Sequence, residues 1–190
     1  MLFRSLITFS ALPEPLEAFI TDGLRTLIHT MKHIPELKEK TLRYKGHIEL
    51  MLALKHSGLF SEKPVLFKGR KISPLEFTTK LLADQWKLGP EEEEMTVLRV
   101  IIREGHREHT WDLVDYYDKG TQLSSMSRTT GYTCTAAAEL ILHKKFMTPG
   151  IFPPERIGAN AGHFDFITDY LSKRGVKWSY GVKPISASAK

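Results

Sequence analysis

The chain has 190 residues, 42% hydrophobic and 26% charged, which is ordinary globular usage and excludes wholesale disorder. Its 27 Lys and Arg against 22 Asp and Glu leave a formal charge of +5, dispersed among acidic residues rather than gathered in a stripe, so nucleic acid is not an expected partner. A single cysteine, Cys134, excludes an intramolecular disulfide framework and a cysteine-built zinc site, and it fits a reducing, cytoplasmic setting.

No run approaches the roughly 20 apolar residues of a membrane span, so no membrane partner is expected. Met1–Leu12 carries Arg4 and several apolar residues. Ser5, Thr8 and Ser10 interrupt it, however, and Pro13 and Pro15 follow without a small-x-small cleavage site, so a secretory signal is not expected.

In chain order, Leu16–Ile20 reads as a strand or extended segment. Thr21-Asp22-Gly23 opens a helix to about Met31, with Thr21 or Asp22 as cap and Leu24, Leu27, Ile28 and Met31 on one face. Lys38–Tyr44 is a strand. Gly46 turns the chain into a helix from His47 to Ser57, closed by Gly58 in a left-handed cap. Val65–Ile72 reads as a strand pair or an extended segment around Lys68-Gly69-Arg70. Ser73-Pro74-Leu75-Glu76 joins a capping serine, a proline at the first helical position and a glutamate three residues on, so a helix starts there and runs to about Trp86 before Gly89-Pro90.

Glu91–Glu94 is a solvated acidic run. Thr96–Arg103 and Thr110–Tyr117 form an antiparallel hairpin. Its first strand is apolar on both faces, which implies a central strand covered on both sides. A helix from about Tyr132 to Phe146, apolar nearly all round, is expected to be buried on more than one side. Met147–Gly158 is a Pro/Gly loop, Phe164–Lys173 a last helix and Val176–Tyr180 a final strand. The expected class is α+β: a mixed, largely antiparallel sheet covered by helices, with residues 16–182 as the domain, 1–15 an atypical leading segment and 183–190 a frayed tail.

The thirteen glycines never take the G-x-G-x-x-G spacing that lets backbone approach a pyrophosphate, and no G-x-x-x-x-G-K-[ST] loop occurs. Gly158-Ala159-Asn160-Ala161-Gly162 comes nearest but has the wrong intervals. No Rossmann domain is therefore expected in this chain, nor a cofactor bound by it alone. His106 and His109 lie on a polar hairpin tip without H-E-x-x-H order, so no metal is expected. Cys134, inside a helix, reads as a small buried hydrophobe rather than a nucleophile.

Two segments can receive an anion. Where the strand ending at Tyr44 meets the helix starting at His47, Arg43, Tyr44 and His47 gather beside free helix N–H groups, an arrangement suited to a carboxylate. The plainer reading pairs Arg43 with an acidic neighbour and puts Tyr44 in the core. In Ser127-Arg128-Thr129-Thr130-Gly131, polar residues precede an apolar helix. Arg128, Thr129 and Thr130 there either receive a ligand or cap the helix, while Gly131 admits a close neighbour.

These segments, in order, resemble the saccharopine dehydrogenase family, closest to its lysine 6-dehydrogenase-like branch. The resemblance is carried by Glu17–Leu27, Lys40–Met51, Gly58-Leu59-Phe60, Ser73-Pro74, Lys87-Leu88-Gly89-Pro90, Met126–Gly131 and Pro149–Glu155. It implies the α/β domain that follows a Rossmann nucleotide-binding domain, forms the dimer and supplies one wall of the substrate cleft. The expected partners are then a second copy, a Rossmann domain and an amino acid such as lysine or saccharopine, with NAD or NADP present only in the complete enzyme. In that cleft Asp22 holds a cationic amine and Arg43 or Arg128 a carboxylate, and Ile20 stands where the family often has Asn. Met1–Pro15 departs from the family pattern, as expected of a truncated frame, a split gene or an excised fragment. Alone the chain is expected to be an inactive part of an amino-acid oxidoreductase. The alternative is a non-catalytic dimeric module that keeps the fold.

Overall fold

A computed structural model describes residues 5–89 and 92–186. Residues 1–4, Pro90 of the expected helix stop with the first residue of the acidic run at 91, and the end of the expected tail at 187–190 lie outside them. The chain forms two compact units, residues 1–23 with 38–92, and residues 24–37 with 93–190.

In the first unit, β1 (Ser5–Ile7), β2 (Leu16–Ile20) and β3 (Lys40–Arg43) pair antiparallel in the order β1-β2-β3. Leu16, Glu17 and Ala18 at the head of the middle strand are all buried. Phe9, just after β1, and Ile48, in the first turn of α2 (His47–His56), are this unit's other buried apolar side chains among the described residues. Gly58 closes α2 at φ +79, as the left-handed cap requires. β4 (Val65–Phe67) and β5 (Arg70–Ile72) make a tight hairpin, with Lys68 at φ 48 and Gly69 at φ 77. α3 (Pro74–Trp86) begins where its signature placed it: the Ser73 hydroxyl accepts from the Glu76 N–H at 3.3 Å.

The second unit holds one sheet, β6 (Met95–Glu104), β7 (Arg107–Tyr116) and β8 (Trp178–Pro184), in the order β6-β7-β8. Its helices are α1 (Leu27–Thr30), α4 (Tyr132–Leu142), α5 (Pro154–Gly158) and α6 (Ala161–Ser172), and a π turn, Ser127–Gly131, runs into α4. Ala136 and Leu140 of α4 and Val176, after α6, are its buried apolar side chains among the described residues. The α+β class holds, and every ladder among the described residues is antiparallel.

Four expectations are corrected. The helix from Thr21 to Met31 shrinks to one turn, α1. The Thr21 hydroxyl and the Gly23 N–H both donate to the Glu39 carboxylate, and Arg25 takes φ 48, so the segment is held out of helical geometry. The β6 strand is an edge, not the centre, and Leu98, Val100, Ile101 and Ile102 are 42–52% exposed. β7 is central because β8, from the end of the domain, adds to its far side. α4 is buried on one stripe only: Ile141 and Leu142 are 54% and 73% exposed, and the helix stops at Leu142. Cys134 is exposed rather than buried, because it lies off the stripe defined by Ala136 and Leu140. Sequence reasoning also left β1 and α5 without an element. It ended the last strand at Tyr180, where pairing with β7 carries β8 to Pro184.

Candidate functional site

The strand-to-helix corner of the first unit is built as expected in backbone but not in electrostatics. Gly46 sits at φ 93 and lets α2 start directly after β3. The free N–H end of that helix faces Glu17, paired opposite Arg43 in the β2–β3 register, and its carboxylate accepts from the Ile48 N–H at 3.4 Å. A helix N-terminus favours negative charge, and here the charge is the protein's own. Around this filled corner, Arg43 is exposed and turns a guanidinium N–H to the Leu42 carbonyl at 2.9 Å. Tyr44 is 66% exposed, not part of the core, and His47 is half-buried.

Asp22 stands elsewhere. It follows the C-terminal end of β2, beside the start of β3, whereas Arg43 closes β3 at the opposite end of the ladder. At about 3.4 Å per strand residue, the two positions lie on the order of 15 Å apart along the sheet. Asp22 is exposed, and its carboxylate meets no cation among the described residues. Its neighbours are fixed by Glu39, with Thr21 also bonded to Thr41 at 2.9 Å.

In the second unit the helical run leading into α4 starts before the π turn, so Gly131 is not a helix N-terminus. The true start is doubly capped. Ser124 Oγ accepts from the Ser127 N–H at 3.0 Å, and the Glu94 carboxylate receives both the N–H and the hydroxyl of buried Ser125. Ser125 is also bonded to Thr96 Oγ1 at 2.7 Å, which ties this start to β6. The second anion-friendly corner is thus closed by an internal carboxylate, like the first.

Arg128, on the π turn, is 7% exposed, and its donors are taken. Nε and Nη2 reach Asp115 of β7 at 2.9 and 3.3 Å, Nη1 reaches Asp118 at 2.7 Å, and Nη2 also donates to the Arg174 carbonyl at 3.4 Å. Gly175 makes that approach possible: at φ +81, a Cβ there would stand 3.3 Å from Arg128 Nη2. Thr129 donates to the Ser125 carbonyl at 2.9 Å, and Thr130 to the Met126 sulfur at 3.2 Å, so both hydroxyls bond back along their own helical run. The segment is a joint between β7, the following loop and the end of α6, with the protein's own aspartates where a ligand carboxylate was expected.

Sequence reasoning missed the acidic partners: Glu17, Glu94, Asp115 and Asp118. The Ser124-x-x-Ser127 spacing was a local signal for the cap, but the carboxylates lie 10 to 31 residues away, on strands or in the segments beside them, and carried none. It also missed Glu108 on β7, 6% exposed and held between Lys183 Nζ at 2.9 Å and Arg103 Nε at 2.8 Å. An open depression of about 320 Å³ lies over Thr110 and Gly181 beside this triad, and its cations are already paired. Among the described residues no three His, Cys, Asp or Glu side chains group to hold a metal, and no helix is long and apolar enough to cross a membrane.

These pairs set an acid limit. The Lys183 ammonium, and after it Arg103, hold the Glu108 carboxyl below the ordinary carboxylate range. The Gly120 N–H, with Thr121 and Arg128, does the same for Asp118. A depressed folded-state value stabilises fully above the ordinary range and loses that contribution as pH falls through the range and below it. The urea midpoint is expected to fall as pH drops below about 4.5. Glu108→Gln should flatten that fall, and an equally steep acid limb in the variant would show that Glu108 does not cause it.

Residues 3–176 match a family model described as the saccharopine dehydrogenase C-terminal domain.

Proposed function

The chain belongs to the saccharopine dehydrogenase C-terminal domain family, and from that premise we propose that it is the substrate-side, dimer-forming domain of an NAD- or NADP-dependent amino-acid oxidoreductase. The observation that carries this reading is the family match across residues 3–176, joined to a sequence without a glycine-rich phosphate loop. The dinucleotide is held by a separate Rossmann domain. Bound there, the dinucleotide would supply hydride-transfer chemistry at the substrate carbon that bears the amine. Lysine or saccharopine supplies that carbon, and a cytoplasmic setting accords with the one unpaired cysteine.

Within this reading the groups of this chain that meet substrate are the accessible ones. Asp22 attracts the cationic amine, and Arg43, with Tyr44 and His47 at the same corner, receives a carboxylate. Arg128, Thr129 and Thr130 act through the scaffold, because their donors are spent inside the protein. The two carboxylate-filled helix corners favour a second reading, a dimeric module that keeps the fold without chemistry.

Mixing the 190-residue chain with a Rossmann domain of the same family, and following NADH formation with lysine and with saccharopine, separates the two. Turnover is expected only in the mixture. Arg43→Met should raise KM about 10- to 100-fold, the range of one charge-assisted hydrogen bond. No rate above background with either substrate or related amines would leave the non-catalytic module standing.

A further inference from the structure

Three acidic side chains are buried among the described residues: Glu17, Glu108 and Asp115. Taking a carboxylate out of water is costly unless a cation or several donors replace the lost hydration. Glu108 has Lys183 and Arg103, and Asp115 has the Arg128 fork. Glu17, 6% exposed, has neither. Its Oε2 takes the Ile48 N–H at 3.4 Å, the long end of a hydrogen bond, and no cation among the described residues meets it. Its Oε1 takes no hydrogen bond among them, yet is not sealed from solvent.

A cation stands nearby and is not used. Arg43 lies directly opposite Glu17 in the β2–β3 register, so the two side chains leave the sheet on one face with Cβ atoms about 5 Å apart. Opposite charges so placed ordinarily pair. Here the guanidinium turns to the Leu42 carbonyl, and the carboxylate stays with the start of α2. Glu17, Arg43 and Ile48 all belong to the first unit, so the arrangement is complete within it.

We propose that this open pair is a receptor for the α-amino-acid end of the substrate, Glu17 taking the α-ammonium and Arg43 the α-carboxylate. The assignment rests on the amino-acid reading above and names the part of the molecule that the Arg43 corner recognises. Charge selects it. A plain anion is repelled by Glu17, which already fills the helix start. A plain cation leaves Arg43 unanswered. A ligand with both charges on one carbon answers both groups and gives the buried carboxylate the counter-charge it lacks. The guanidinium fork suits a planar carboxylate, and an ammonium needs only accessible acceptors. Lysine and saccharopine both carry such an end, and held by it they keep their other nitrogen for hydride chemistry.

The test reads the Ile48 amide, whose N–H is bonded to Glu17, by heteronuclear NMR of the 190-residue chain. Titration with lysine should move this resonance saturably. ε-Aminocaproate, which lacks the α-amine, and cadaverine, which lacks the carboxylate, should each bind at least about 10-fold more weakly, the size of one charge-assisted hydrogen bond. These three titrations need no variant. In Glu17→Gln, folded by circular dichroism, lysine should lose its preference over ε-aminocaproate, and in Arg43→Met its preference over cadaverine. The absence of a saturable lysine shift overturns the proposal, as does equal affinity of the wild type for either truncated ligand. A folded Glu17→Gln chain that keeps the full preference also overturns it. The oxidoreductase reading fails separately. A lysine-dependent Ile48 shift without NADH formation in the Rossmann mixture keeps the receptor and removes the enzyme, and NADH formation without the shift does the reverse.

Discussion

Arg128→Met is expected to destabilise the protein by about 3–5 kcal/mol, the largest single-residue loss in the second unit. The guanidinium is 7% exposed and bridges Asp115 and Asp118. Methionine fills much of its volume but leaves the Asp115 carboxylate, itself almost fully buried, without a counter-charge. Arg128→Lys should recover only part of the loss, since one ammonium cannot reproduce a fork that serves two carboxylates and a carbonyl. Urea melts of the three proteins at neutral pH measure this directly. They also discriminate roles: a residue kept for a substrate carboxylate would change KM and leave the melt nearly untouched. A loss below about 1 kcal/mol for Arg128→Met would return Arg128 to the list of ligand groups.

Phe9→Ala should cost about 3–5 kcal/mol. The ring is 2% exposed, in the segment that follows β1, and truncating it leaves a cavity that neighbouring side chains fill only partly. Leu6→Ala, three residues earlier and 58% exposed, should stay within about 0.5 kcal/mol of wild type. The contrast matters because the leading segment up to Pro15 was expected to lie outside the domain, whereas the family match starts at residue 3 and β1 pairs with β2. A loss at Phe9 of the size of a core truncation makes this segment part of the folded first unit, and a loss no larger than at Leu6 would show that it is dispensable.

What could be read from sequence follows the range of the interactions involved. The Ser73-Pro74-Leu75-Glu76 cap, Gly58 at the end of α2, the Lys68-Gly69 hairpin and the β6–β7 hairpin were all legible because their partners lie within a few residues. The Thr21–Met31 helix failed for the opposite reason: Glu39 claims Thr21 and Gly23 from beyond the window in which a helical pattern is judged. The site was legible in its cations and hydroxyls, Arg43 and Arg128 to Thr130, but not in the acids that answer them. Strand β8 lies more than sixty residues from the β7 strand it joins, so the rank of β6 within its sheet could not be read from β6 itself.

The α+β class, the family, most local element starts and the lack of phosphate-loop glycine spacing were all readable from the residues, since each depends on near neighbours or on spacing. Which strand is central, and which side of its sheet carries the paired charges, came from folding in three dimensions. It also decided that both anion-friendly helix starts are filled from within, by Glu17 and by Glu94. Electrostatic partnership depends on distance in space, and a carboxylate brought in by a distant strand leaves no trace beside the helix it caps.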